Sequence, residues 1–163
     1  MRAIAAMITA VMFGAGTTAT FSVDGAARTS STAVATVQPR TGAPAYSWLR
    51  IYFYASPLGS ADAASAARGR IDAIKARWSA VLQLTVDKSA SVWQIDLSLP
   101  GHTCTIAESD REAKAALQEF QFDGTRVRVK GKGSHLCDMS LLRIPNQTFA
   151  WDVDLESVVV GAR

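Results

Sequence analysis

The chain is poor in the residues that most often mark chemistry. Its 163 residues include two cysteines and two histidines, and only 19% are charged. Five prolines and 11 glycines exclude a collagen-like or proline-rich fibre. The longest apolar run, Ala3 to Ala15, falls short of the roughly 20 residues that span a bilayer. No Gly-rich phosphate loop, His-Glu-x-x-His or Gly-x-Ser-x-Gly is present. The familiar nucleotide-binding, zinc-protease and serine-hydrolase signatures are therefore missing. A net charge of +3 is weak for a nucleic-acid binder, though it suits an acidic protein as partner.

What is there points first to export. Hydrophobic residues make up 48% of the chain, enough to build one packed domain. Met1–Arg2, the apolar run and the small residues Gly16-Thr17-Thr18-Ala19 follow the order of a secretory signal peptide. Residues 1–27 read as that signal, with cleavage after Ala19 or after Ala27. Residues 28–45, rich in Ala, Thr, Ser, Gly and Pro, read as a flexible lead-in. Residues 46–163 then form a single domain, periplasmic or secreted. In an oxidising compartment two cysteines in one domain tend to pair, so Cys104–Cys137 is the expected disulfide. Its closed loop of about 34 residues stabilises the fold by roughly 3–4 kcal/mol on chain-entropy reasoning.

Periodicity fills in the domain. Leu49 to Tyr54 reads as a strand, ended by Pro57 and Gly59. Ala64, Ala67, Ile71, Ile74, Trp78 and Leu82 recur at three and four residues and predict a long amphipathic helix over about 61–79. Leu82–Val86 and Trp93–Leu99 alternate as a hairpin, and His102–Ile106 is a short strand. Ser109-Asp-Arg-Glu112 fits a capping box for a short helix. Gln118–Phe122 and Thr125–Lys130 flank the turn signal Asp123-Gly124. Ser134–Ile144 and Phe149–Leu155 read as the last strands. The expected fold is α+β: a largely antiparallel, twisted sheet with one long helix packed on it and one short helix. The alternative is a partly closed barrel with the helix as a plug.

Three features could carry function. The first is the matched pair His102-Thr103-Cys104 and His135-Leu136-Cys137, which holds every His and Cys in the chain. On a strand, positions i and i+2 share a face, so each tripeptide projects imidazole and sulfur together. Three readings stay open: a plain disulfide with no cofactor; a metal site for zinc or copper built from His102, Cys104, His135 and Cys137; and His102 with His135 as base and acid of a small secreted hydrolase or ribonuclease, with Lys130 or Lys132 stabilising charge. The second feature is the cationic stripe Arg126, Arg128, Lys130, Lys132, a docking face for an acidic partner unless Asp152, Asp154 and Glu156 neutralise it across the strands. The third is Trp48, Arg50, Tyr52 and Tyr54, residue types that anchor protein interfaces when exposed.

The stretch Gly101-His-Thr-Cys104 through Phe120-x-Phe122-Asp-Gly, Val127-x-Val129 and Cys137 resembles the cysteine-framed β-hairpins of bacterial lysozyme-inhibitor-like proteins. It covers about 40 residues, and no inhibitory loop of that family's kind accompanies it, so no functional residue is carried over. The resemblance implies a small exported binding protein, an inhibitor or immunity protein against a cell-wall hydrolase or toxin.

Overall fold

The computed structural model describes residues 18–160 apart from 57, 60, 63–64 and 66–76. The apolar run of the expected export signal lies outside the described residues, and so does most of the expected helix over 61–79. Among the described residues ten strands follow one another with a single full α-helix: β1 (Thr18–Val23), β2 (Ala26–Ser30), β3 (Thr32–Pro39), β4 (Tyr46–Tyr54), β5 (Ala80–Asp87), β6 (Val92–Leu99), β7 (His102–Ala107), α1 (Asp110–Ala116), β8 (Leu117–Phe122), β9 (Arg126–Cys137) and β10 (Gln147–Val160).

The strands form one sheet that curls into a half-barrel. One wing has the order β2-β1-β10-β9-β8 and the other the order β3-β4-β5-β6-β7. Neighbours within each wing are antiparallel, and the end of β10 joins the wings by pairing Val159 and Val160 in parallel with Ala35 and Thr36 of β3. Alternation places Phe21, Leu49, Ile51, Phe53, Leu82, Leu84, Ile95, Leu97, Phe149, Val153 and Leu155 in one core, each at most 0% exposed. Burying each such side chain contributes roughly 1.5–3 kcal/mol. A smaller cluster of Val34, Tyr52, Tyr54, Val81 and Val160, with Leu58 and Trp78 packed on it, covers part of the opposite face.

The expected α+β class is corrected by this arrangement, which is mostly β, at 64% strand and 10% helical. The flexible lead-in of residues 28–45 is corrected too. It carries the end of β2 and all of β3, an inner strand whose Ala33, Val34 and Ala35 are buried. Alternation is present in Ala33, Ala35 and Val37, but alanine is too small to make an apolar stripe conspicuous. Upstream, β1 and β2 form a hairpin whose turn residues Asp24 and Gly25 both have positive φ, as a two-residue hairpin turn requires. The capping box is borne out: Ser109 Oγ accepts from Glu112 N–H, and Glu112 reaches back to Glu108 N–H. The strand expected over 134–144 is instead the end of β9 followed by a loop with one 3-10 turn at Ser140–Leu142.

Candidate functional site

The two cysteines meet where β7 and β9 approach each other. Cys104 and Cys137 are bonded, buried, and 5.8 Å apart between Cα atoms. Neither sulfur is a thiolate in this state, and among the described residues no group of three or more His, Cys, Asp or Glu side chains is placed to hold a metal ion. The histidines do not share a cavity. His135 is exposed and lines a groove beside α1, whereas His102 is absent from that lining and has its Nδ1 buried without a partner.

The disulfide anchors a loop of unusual exposure. Cys137 ends β9, and residues 138–146 lead into β10. Leu141 is 97% exposed and Leu142 61%, while Leu136, one residue before the disulfide, is 62% exposed. Ile144 and the exposed Arg143 complete the tip. The loop is nonetheless fixed. Met139 is buried at its base, and its N–H donates to Asn146 Oδ1 at 3.2 Å. Leu142 N–H donates to the Met139 carbonyl at 2.9 Å, and Arg143 N–H to the Ser140 carbonyl at 3.0 Å. Asp138 accepts from Ser140 N–H at 2.8 Å, and that bond holds its carboxyl below the usual range. The chain matches no known protein family, no characterised protein and no solved structure. The loop's geometry therefore has to speak for itself. Sequence reasoning missed it, although Leu141-Leu142 breaks the strand alternation just before Pro145-Asn146.

The cationic stripe lies on the outer face of β9, and most of it is paired. Arg128 binds Glu119 at 3.4 Å and also Asp154, and both partners keep its guanidinium charged. The same Arg128 contact holds the Asp154 carboxyl below the usual range. Lys130 lies 3.3 Å from Asp154, and Arg126 3.6 Å from Glu156. Among the described residues only Lys132 of the four makes no ion pair. The acidic stripe of β10 does lie across from the cationic one, with Lys130 opposite Asp154 and Lys132 opposite Asp152.

The aromatic strand divides in two. Trp48 and Arg50 are part-exposed, with the guanidinium 4.8 Å over the indole ring. Tyr52 and Tyr54 are 6% and 3% exposed, so they pack in the second cluster and present no contact surface. Burial pushes the Tyr54 phenol up to about 12. From Arg50 a polar row crosses four strands: Arg50 donates to Gln83 at 2.7 Å, Gln83 to Asp96 at 3.2 Å, and Thr105 to Asp96 at 2.7 Å. These bonds satisfy a carboxylate that is only 8% exposed.

The groove beside α1 has a volume of about 630 Å³. Thr105–Ala107 of β7 form one wall and Lys132–His135 of β9 the other; Ala115 and Ala116 close one end and Trp151 lies at the floor. Two glycines make room for that indole. A Cβ at Gly131 would lie 2.7 Å from Trp151 Cη2, and one at Gly133 would lie 3.0 Å from Trp151 Nε1. Glu108, Glu112, Lys132 and His135 also line it.

Proposed function

We propose that this is an exported, disulfide-stabilised binding protein that acts on another protein, as an inhibitor or immunity protein against a cell-wall hydrolase or toxin. The loop over 138–146 makes the contact. The observation that carries the reading is the pairing of extreme apolar exposure with a fixed backbone. Exposed Leu141 and Leu142 cost solubility unless something covers them, and hydrogen bonds together with the neighbouring disulfide hold them in one shape. A loop backbone already ordered before binding loses little entropy on docking.

The patch is too small for a flat interface, which buries roughly 800 Å² on each partner. It suits insertion into a cleft, with Arg143 beside the leucines available to an acidic rim. It lacks the cation cluster and the aromatic residues that favour a lipid surface. Pairing by Cys104 and Cys137 and the signal-like order of residues 1–19 support an oxidising compartment, periplasmic or secreted. Tests of lysozyme and other peptidoglycan hydrolases against a cell-wall suspension should find one that the protein slows. Leu141→Asp with Leu142→Asp should weaken that inhibition by roughly a hundredfold, since each removes a central anchor worth about 1–2 kcal/mol. Full inhibition by the double variant would overturn the role of the loop.

A further inference from the structure

Across β4 to β7, on the face opposite the main core, the strand register lays two rows of side chains next to each other. One row is polar, with Arg50, Gln83, Asp96 and Thr105 opposite one another on successive strands. The next begins apolar and ends in hydroxyls: Tyr52, Val81, Ser98 and Thr103. Among the described residues these two rows, apart from Thr105, line a cavity of about 520 Å³ together with Trp78. The polar row adds nothing to the core, and burying a carboxylate is costly unless it is hydrogen-bonded. Asp96 is only 8% exposed, and Gln83, Gln94 and Thr105 donate to it at 3.2, 3.0 and 2.7 Å. The same bonds hold Gln83, which in turn accepts from Arg50 Nε at 2.7 Å, while the guanidinium lies over the Trp48 ring. The fork of Arg50 is therefore set in one orientation, and among the described residues its terminal nitrogens have no partner.

We propose that this cavity binds a neutral oligosaccharide, with an apolar sugar face against Trp78 and the hydroxyl rim along Arg50, Gln83 and Asp96. A pyranose ring has one face of C–H groups and a rim of hydroxyls that both donate and accept, and the cavity is divided the same way. Trp78 is half-buried and packs on the cluster that holds Tyr52 and Val81, so it supplies a fixed apolar wall. Arg50 and Gln83 bring N–H donors, Asp96 an acceptor, and the Ser98 and Thr103 hydroxyls, 2.9 Å apart, serve as either. Polar groups ordered before the ligand arrives lose little on binding. The charge of Arg50 is balanced by Asp96 one strand beyond Gln83, so the row favours a neutral sugar over an acid or an amine. The volume is within the range of small-molecule sites. The cavity lies on β4 to β7 and shares no residue with the loop of residues 138–146.

The test titrates the intact, disulfide-bonded chain with trimers of glucose, galactose and N-acetylglucosamine, and with a galacturonic acid trimer as the charged comparison. Nitrogen-15 NMR should show the Trp78 indole N–H and the Gln83 side-chain amide shifting with at least one neutral trimer, at a Kd of roughly 0.1–1 mM. That affinity should change by less than about twofold between low and high salt, because no net charge is paired. Thr103→Trp, at an exposed position on the cavity's edge, should abolish binding with the melting temperature unchanged. Arg50→Lys keeps the charge but loses the fork, and should weaken binding about tenfold. Leu141→Asp should leave sugar binding intact, which separates this site from the loop. No binding of any neutral trimer up to about 10 mM would overturn the proposal. So would tighter binding of the galacturonic acid trimer, shifts confined to residues outside the cavity, or full binding by Thr103→Trp.

Discussion

Tyr54 shows how one buried group ties stability to pH. Its phenol titrates near 12 in the fold against 10.0 in an open chain, with burial the main cause and neighbouring Tyr52 the next. Between those values the unfolded chain has lost the proton and the folded chain retains it. Stability is therefore fully present below pH 10 and is lost as pH rises toward 12. Denaturant midpoints should fall over that window and fall less in Tyr54→Phe, and the ultraviolet tyrosinate signal should show one late-titrating phenol that the variant lacks. A flat midpoint in the parent protein would contradict the burial argument. Residue-level signals were otherwise legible where chemistry is local. The two cysteines pair as compartment reasoning expects, and the capping box at Ser109 and the Asp123-Gly124 turn form where their residues stand. The burial of Tyr52 and Tyr54 was not legible, because an outward face reads as solvent until the element covering it is known.

Among the elements, β1 constrains where the proposed export signal could be removed. Phe21 is fully buried, with its ring centroid 4.9 Å from that of Phe53, and β1 pairs with both β2 and β10. Cleavage after Ala19 leaves Phe21 in place, whereas cleavage after Ala27 removes β1 altogether. Losing a buried Phe alone costs roughly 3–5 kcal/mol, and losing its strand costs more. A chain beginning at Thr20 should fold cooperatively, and one beginning at Arg28 should be largely unfolded under the same conditions. The mature protein should keep Phe21 at its N-terminal end by intact mass. A stable, native-like chain from Arg28 would show that β1 is dispensable. Composition hid this element: Ala19, Phe21 and Val23 alternate with Thr18, Thr20 and Ser22, the same period that revealed β4 to β6. Overlap with a signal-peptide pattern outweighed it, since small residues serve a cleavage site as well as they serve a strand.

At the scale of the molecule, the disulfide adds a second covalent tie between the two wings at their open side, beside the backbone that runs from β7 through α1 into β8. It joins β7 of one wing to β9 of the other, with the loop of residues 138–146 next to Cys137 and the groove beside α1 lined by both strands. Replacing both cysteines by alanine should lower unfolding free energy by roughly 3–4 kcal/mol. It should also cut hydrolase inhibition more than tyrosine absorbance or far-ultraviolet circular dichroism would suggest, because the base of the loop is freed. Equal stability with and without the bond, measured by urea unfolding, would refute this. The overall class was read wrongly from sequence for a related reason. A long strand such as β9, with glycines at 131 and 133, looks broken when only its own residues are considered, yet Trp151 of β10 fills the space and keeps it continuous.

The position of β10 carries a consequence for timing. Its residues pair with β1, β9 and β3, so the last of the described strands is the seat for the first of them. Contacts that join the ends of a chain close late and slowly. A ribosome-bound chain halted before residue 147 leaves β1 paired with β2 alone and lacks the core side chains Phe149, Trp151, Val153 and Leu155. The wing β2-β1-β10-β9-β8 must therefore wait for residues 147–160 before it can close.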